Sequence, residues 1–128
     1  MTRFLLVGLG GAAGAMARYG LGLAAGRLAP AFGWPWGTFA ANVIGGLAMG
    51  LVAGWLALRG GASQETVRLL LGVGVLGGFT TFSAFSLETV LMVERRQFAL
   101  AGGYVALSVV LAVAALMLGL FLMRRVLA

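Results

Sequence analysis

The stretch from Gly72 to Glu88, GVGVLGGFTTFSAFSLE, holds the densest set of groups able to act on a ligand. Gly77 and Gly78, followed by the β-branched Thr80 and Thr81, make poor continuous helix, so a backbone break is expected between Gly77 and Thr81. Carbonyls released at such a break can coordinate a cation. Beyond it, Phe82, Phe85 and Ser86 share one helix face at i, i+3 and i+4, with Ser83 off to the side. Two rings at that spacing suit core packing. Their company argues for something else, because Thr80, Thr81, Ser83 and Ser86 all need hydrogen-bond partners in apolar surroundings.

Other polar groups sit alone on apolar runs. Thr38, Asn42, Gly46, Gly50 and Gly54 recur every four residues and form a slanted ridge on one side of a helix. Asn42 must therefore face protein, either as an amide bonded to a neighbouring helix or as a donor lining a polar path. Gly10, Gly14, Arg18 and Gly22 repeat at the same interval. Burying Arg18 costs roughly 2.5 kcal/mol or more near a bilayer centre. It either bonds helix-end carbonyls or draws an anion into a vestibule. Tyr104 and Ser108 lie one turn apart, and their row continues through Ala112, Ala115 and Gly119, polar at one end and merely small at the other.

The elements that must position these groups follow from composition. Of 128 residues, 62% are hydrophobic and 9% charged, and the mean hydropathy is +1.07. A water-soluble globule of this length needs far more polar surface. A bilayer core about 30 Å thick takes roughly 20 apolar residues per helix, so four crossings use nearly the whole chain. The apolar runs cover about residues 4–28, 36–58, 67–93 and 98–123. Arg27, Pro30 and the turn-prone segment from Phe32 to Pro35 close the first. Arg59, Gly60 and Gly61 end the second. Ser63 is placed to cap the third, with Glu65 in its first turn, and Glu94, Arg95 and Arg96 end it. Arg124 and Arg125 finish the fourth. Trp34, Trp36 and Trp55 fall near span boundaries, where amphipathic rings prefer to sit. The expected architecture is one all-α membrane domain over residues 1–128, with the third of its four transmembrane helices broken near the middle.

Charge and missing residue types narrow the function. There is no cysteine and no histidine, which removes thiolate sites, the commonest metal ligand and the commonest general base, and argues against an enzyme. The net charge of +6 comes from arginines scattered at the ends of apolar runs. That placement reads as membrane-interface anchoring and not as a nucleic-acid surface. GLGGAA at Gly8 to Ala13 is no dinucleotide fingerprint, since no strand precedes it and the first acid is Glu65. Arg18 and Tyr19 interrupt the place where a cleavable signal segment would end. With four spans, Arg3, Arg59, Arg68, Arg124 and Arg125 fall on one side and Arg27, Arg95 and Arg96 on the other, joined by Arg18 if it reaches that far. So weak a bias leaves insertion both ways round open, and with it an antiparallel homodimer.

GGAAGAMARY (Gly10 to Tyr19), WGTFAANVIGG (Trp36 to Gly46) and GFTTFSAFSLE (Gly78 to Glu88) resemble the signatures of the small bacterial fluoride channels, the CrcB or Fluc family. The likeness covers essentially the full chain. It implies a dual-topology antiparallel homodimer in the bacterial inner membrane, exporting fluoride passively through two pores built from both copies. It also implies that Asn42, Phe82 and Phe85 line the path, with Thr38, Ser83, Tyr104 and Ser108 along or beside it and Arg18 near its vestibule. Gly77 and Thr80 fall on the positions whose backbone carbonyls, two from each copy, hold a central structural sodium. One departure stands out: the last span carries Ala112 and Ala114 or Ala115 where relatives continue the polar row with hydroxyls. The rival reading, a small proton-coupled multidrug exporter, needs a deep carboxylate in the first span. That span has only Arg18.

Overall fold

The computed structural model describes residues 1–29 and 33–128, so Pro30 and Phe32, expected to help close the first span, lie outside it. Among the described residues there is no strand, and four helical spans are long and apolar enough to cross a membrane. The first is α1 (Thr2–Leu28) and the second α2 (Trp36–Arg59). The third runs Gln64–Glu94 and is made of α3 (Gln64–Val67), a π-helical stretch (Arg68–Leu76), α4 (Gly77–Phe79) and α5 (Ser83–Glu94). The fourth is α6 (Phe98–Leu127).

Lipid offers no hydrophobic drive for helices to associate, so close backbone approach at small residues has to do it. The four-residue glycine rows supply that approach. A Cβ on Gly10 or Gly14 would run into the carbonyls of Leu70 and Val75, which brings α1 against the π-helical stretch. On the other side, Gly46 and Gly50 lie against the carbonyls of Ala112 and Leu116, seating α2 on α6. The large apolar side chains turn the other way. Leu9, Met16, Val110 and Met117 are each more than 60% exposed, as lipid-facing residues are. At the end of α6 the Arg125 guanidinium lies over the Phe121 ring at 5.1 Å, an apolar stem with its charge carried toward the boundary.

One local feature differs from the sequence expectation. Ser63 stands at the N-cap of α3, but its hydroxyl makes no capping bond. The turn is closed instead by main-chain bonds, from the Gln64 N–H to the Gly61 carbonyl and from the Val67 N–H to the Ser63 carbonyl. Gly77 and Gly78 belong to helix α4, and the backbone leaves helical geometry just past the end of that helix, at Thr80 (φ −82°, ψ 157°). Gly78 packs directly on Gly11 of α1, an approach that a side chain at Gly78 would block.

Candidate functional site

Thr80 turns extended, and the next residue loses its helical partners. Asn42 of α2 supplies them: its Nδ2 donates to the Thr81 carbonyl at 3.0 Å, and the Thr81 N–H donates to its Oδ1 at 2.8 Å. The Thr81 hydroxyl accepts from the Ala84 N–H at 3.1 Å and so takes the capping role at the start of α5. Arg18 reaches across from α1, where its Nε donates to the Gly78 carbonyl at 3.2 Å. Among the described residues, no hydrogen bond reaches the carbonyls of Gly77 or Thr80.

These groups border a groove of about 550 Å³. Asn42, Gly77, Thr80, Phe82, Phe85 and Ser108 all line it. The two rings meet with centroids 5.5 Å apart, but their settings differ: Phe85 is 8% exposed, whereas Phe82 is 78% exposed on the outer surface. Ser108 is buried, and its hydroxyl has no partner among the described residues. Past Ser108 the wall is apolar, through Ala112 and Leu116 of α6 and Met49 of α2. The Asn42 amide has two N–H donors and Thr81 takes one, leaving a donor at the groove.

Several hydroxyls are already committed. Thr80 Oγ1 donates to the Leu76 carbonyl and Ser86 Oγ to the Phe82 carbonyl, both at 2.8 Å. Ser83 is exposed beside the Thr81 hydroxyl at 3.3 Å and does not line the groove. Thr38 and Tyr104 also stand outside the groove lining, in a second polar cluster. Its centre is Glu88, which accepts from Thr38 Oγ1 on one oxygen and from the Tyr104 hydroxyl on the other, each at 2.7 Å. The Tyr104 ring bears on Phe85 at 5.2 Å, so the two clusters share a wall. Sequence reasoning did not single out Glu88. Its signal was present, because a carboxylate in an apolar span must be paired, and Thr38 and Tyr104 were the available donors.

Four apolar spans, of which the second, third and fourth border a largely apolar groove with polar groups at one end, define a multi-pass membrane protein of the transport class. Residues 5–120 match the family described as "CrcB-like protein, Camphor Resistance (CrcB)", and the chain belongs to that family, as its resemblance to the small bacterial fluoride channels implied. Over 129 residues it is 67% identical to a protein of Phenylobacterium zucineum (strain HLK1), covering 100% of both chains. It is 61% identical over 128 residues to one from Caulobacter sp. (strain K31), covering 98% of each, and 56% identical over 128 residues to one from Caulobacter vibrioides (strain NA1000 / CB15N), covering 100% of each. All three bear the name fluoride-specific ion channel FluC.

Proposed function

We propose that this chain is a fluoride channel of the bacterial cytoplasmic membrane, working as an antiparallel homodimer whose two pores are completed by the facing copy. The single observation that carries this is the groove itself. It combines a spare Asn42 donor, the free Ser108 hydroxyl and two phenylalanine rings, and one ring lies on the outer surface. Polar groups at a membrane protein's surface cannot be left to lipid, so a second copy seated on this face is the natural cover.

The chemistry suits the smallest halide. Fluoride is strongly hydrated and must exchange its water for protein donors, which Asn42 and Ser108 supply. The electropositive ring edges of Phe82 and Phe85 meet an anion without holding it as a guanidinium would. Several weak sites let the ion move on. Arg18 is tied to Gly78, so it acts on the pathway through its charge and through the third span it braces. Chloride is disfavoured because donors spaced for the smaller ion solvate it less well.

The interruption at Thr80 has its own part in this reading. Among the described residues the carbonyls of Gly77 and Thr80 accept no hydrogen bond while those of Gly78 and Thr81 are engaged by side chains, and hard oxygen donors of that kind suit sodium. A sodium ion shared with the same two carbonyls of the second copy would supply a structural cross-link at the centre of the dimer. Efflux from reconstituted vesicles, read with ion-selective electrodes, tests the reading: fluoride leaves and chloride stays. Equal release of both ions, or of neither, would sink it.

A further inference from the structure

Trp34, expected among the aromatics at a membrane boundary, faces inward. Its ring stands edge-on to Tyr104, with centroids 5.4 Å apart at 88°, and edge-on to Phe39 at 5.4 Å and 77°. Tyr104 is fully buried and lies 5.2 Å from Phe85, which lies 5.5 Å from Phe82. One unbroken file of rings therefore runs from the segment before α2 to the groove. Tyr104 is its pivot, because the ring bears on Phe85 while the hydroxyl holds the Glu88 carboxylate.

The geometry points to Trp34 as a positioning residue for the ion pathway. Its indole and the Phe85 ring both bear on the Tyr104 ring, and the edge-to-face contact with the indole fixes the ring's tilt as well as its place. An aliphatic side chain in its place makes no edge-to-face contact and does not fix the tilt. Tyr104 could then rock, and both the Phe85 ring edge and the Glu88 oxygens would lose their aim. Trp34 touches no pathway ion. It acts through Tyr104, and this inference rests on the fluoride-channel reading above.

The test compares two substitutions in reconstituted vesicles. Trp34→Leu should lower fluoride efflux about tenfold, the factor that roughly 1.4 kcal/mol of lost positioning gives, with the protein eluting from a sizing column as the parent does. Trp34→Phe, which keeps an aromatic edge toward Tyr104, should restore most of the rate. A leucine variant that conducts like the parent overturns the proposal, as does a phenylalanine variant that falls with it. Should the leucine variant fail to fold, the coupling is read in the other direction. In a Trp36→Phe, Trp55→Phe background Trp34 is the sole tryptophan of the original three, and its emission should shift when Phe85→Ile is added. Identical spectra overturn the proposal. A parent protein that releases no fluoride would defeat the channel reading, and the emission arm would still decide the ring coupling.

Discussion

Asn42 and Thr81 form a two-point pair between α2 and the start of α5, with the amide taking both main-chain groups of one residue at 3.0 and 2.8 Å. The amide thus holds the backbone where helical bonding stops and keeps one donor for the groove. Asn42→Ala should remove both at once. Each orphaned main-chain group costs about 1–3 kcal/mol, so thermal unfolding in detergent should fall and fluoride efflux should cease. Asn42→Asp separates the roles. It keeps the acceptor for the Thr81 N–H but sets a carboxylate against the Thr81 carbonyl and removes the donor. It should also abolish efflux, and efflux at the parental rate would mean that the groove needs no amide.

The two rings should part company on substitution. Phe82→Ile alters a side chain exposed in the single chain, so fluoride efflux should drop with little change in the chain's stability. Phe85 is packed on Tyr104, and Phe85→Ala should cost about 3–5 kcal/mol as a large-to-small core change, on top of lost efflux. Chemical unfolding followed by circular dichroism, set beside electrode-read efflux, distinguishes them. Equal stability losses would mean that Phe82 is as embedded as Phe85.

Much of this arrangement was legible in the sequence, and the remainder was hidden for physical reasons. Span positions follow from hydropathy. The contacts of Gly46 and Gly50 with α6 follow from a four-residue interval that any helix turns into a ridge. The π-helical stretch at Arg68–Leu76 left no mark, because hydrogen-bond register does not show in composition. Glu88 was passed over because its partners lie 50 and 16 residues away on two other helices. Trp34 misled for a similar reason: a ring near a span end reads as interfacial until the fold places Tyr104 beside it.

Glu88 accepts from Thr38 and Tyr104 at once, so removing the carboxylate strands two hydroxyls, whereas removing one hydroxyl leaves the other bond standing. Glu88→Leu should therefore cost more stability than Tyr104→Phe, which keeps the ring that Phe85 and Trp34 pack against. A hydrogen bond to a charged group is worth about 1.5–3 kcal/mol, and Tyr104→Phe should lose an amount in that range. Thermal unfolding of Thr38→Val, Tyr104→Phe and the double variant measures the coupling. Strictly additive losses would show that the two hydroxyls do not act through one carboxylate.

If two copies face each other in opposite senses, connectivity decides activity. A single copy has both termini on the same side. Two copies joined through one added transmembrane helix are forced antiparallel, and that fusion should conduct fluoride. Two copies joined by a soluble linker are held the same way round and should not conduct as an isolated pair. The reverse result would mean a parallel assembly, and the groove would then need a different cover.

Arg96 holds a backbone conformation that favours glycine, with φ at +59°. It follows α5 at the point where the Gln97 N–H bonds back to the Met92 carbonyl and the Arg96 N–H to the Val93 carbonyl, a helix stop usually made with glycine. A side chain there costs about 1 kcal/mol, so Arg96→Gly should raise the unfolding temperature in detergent. On the proposed four-span arrangement the same change also removes a charge from the side expected to carry fewer arginines, so the weak charge bias should grow. Accessibility labelling of a cysteine placed in the loop between α2 and α3 should then report more of one orientation. Glutamine at this position separates the two effects, since it removes the charge while keeping a side chain in the strained conformation: Arg96→Gln should move the orientation without raising the unfolding temperature. If the glutamine and glycine variants unfold at the same temperature, backbone strain is not what Arg96 stores.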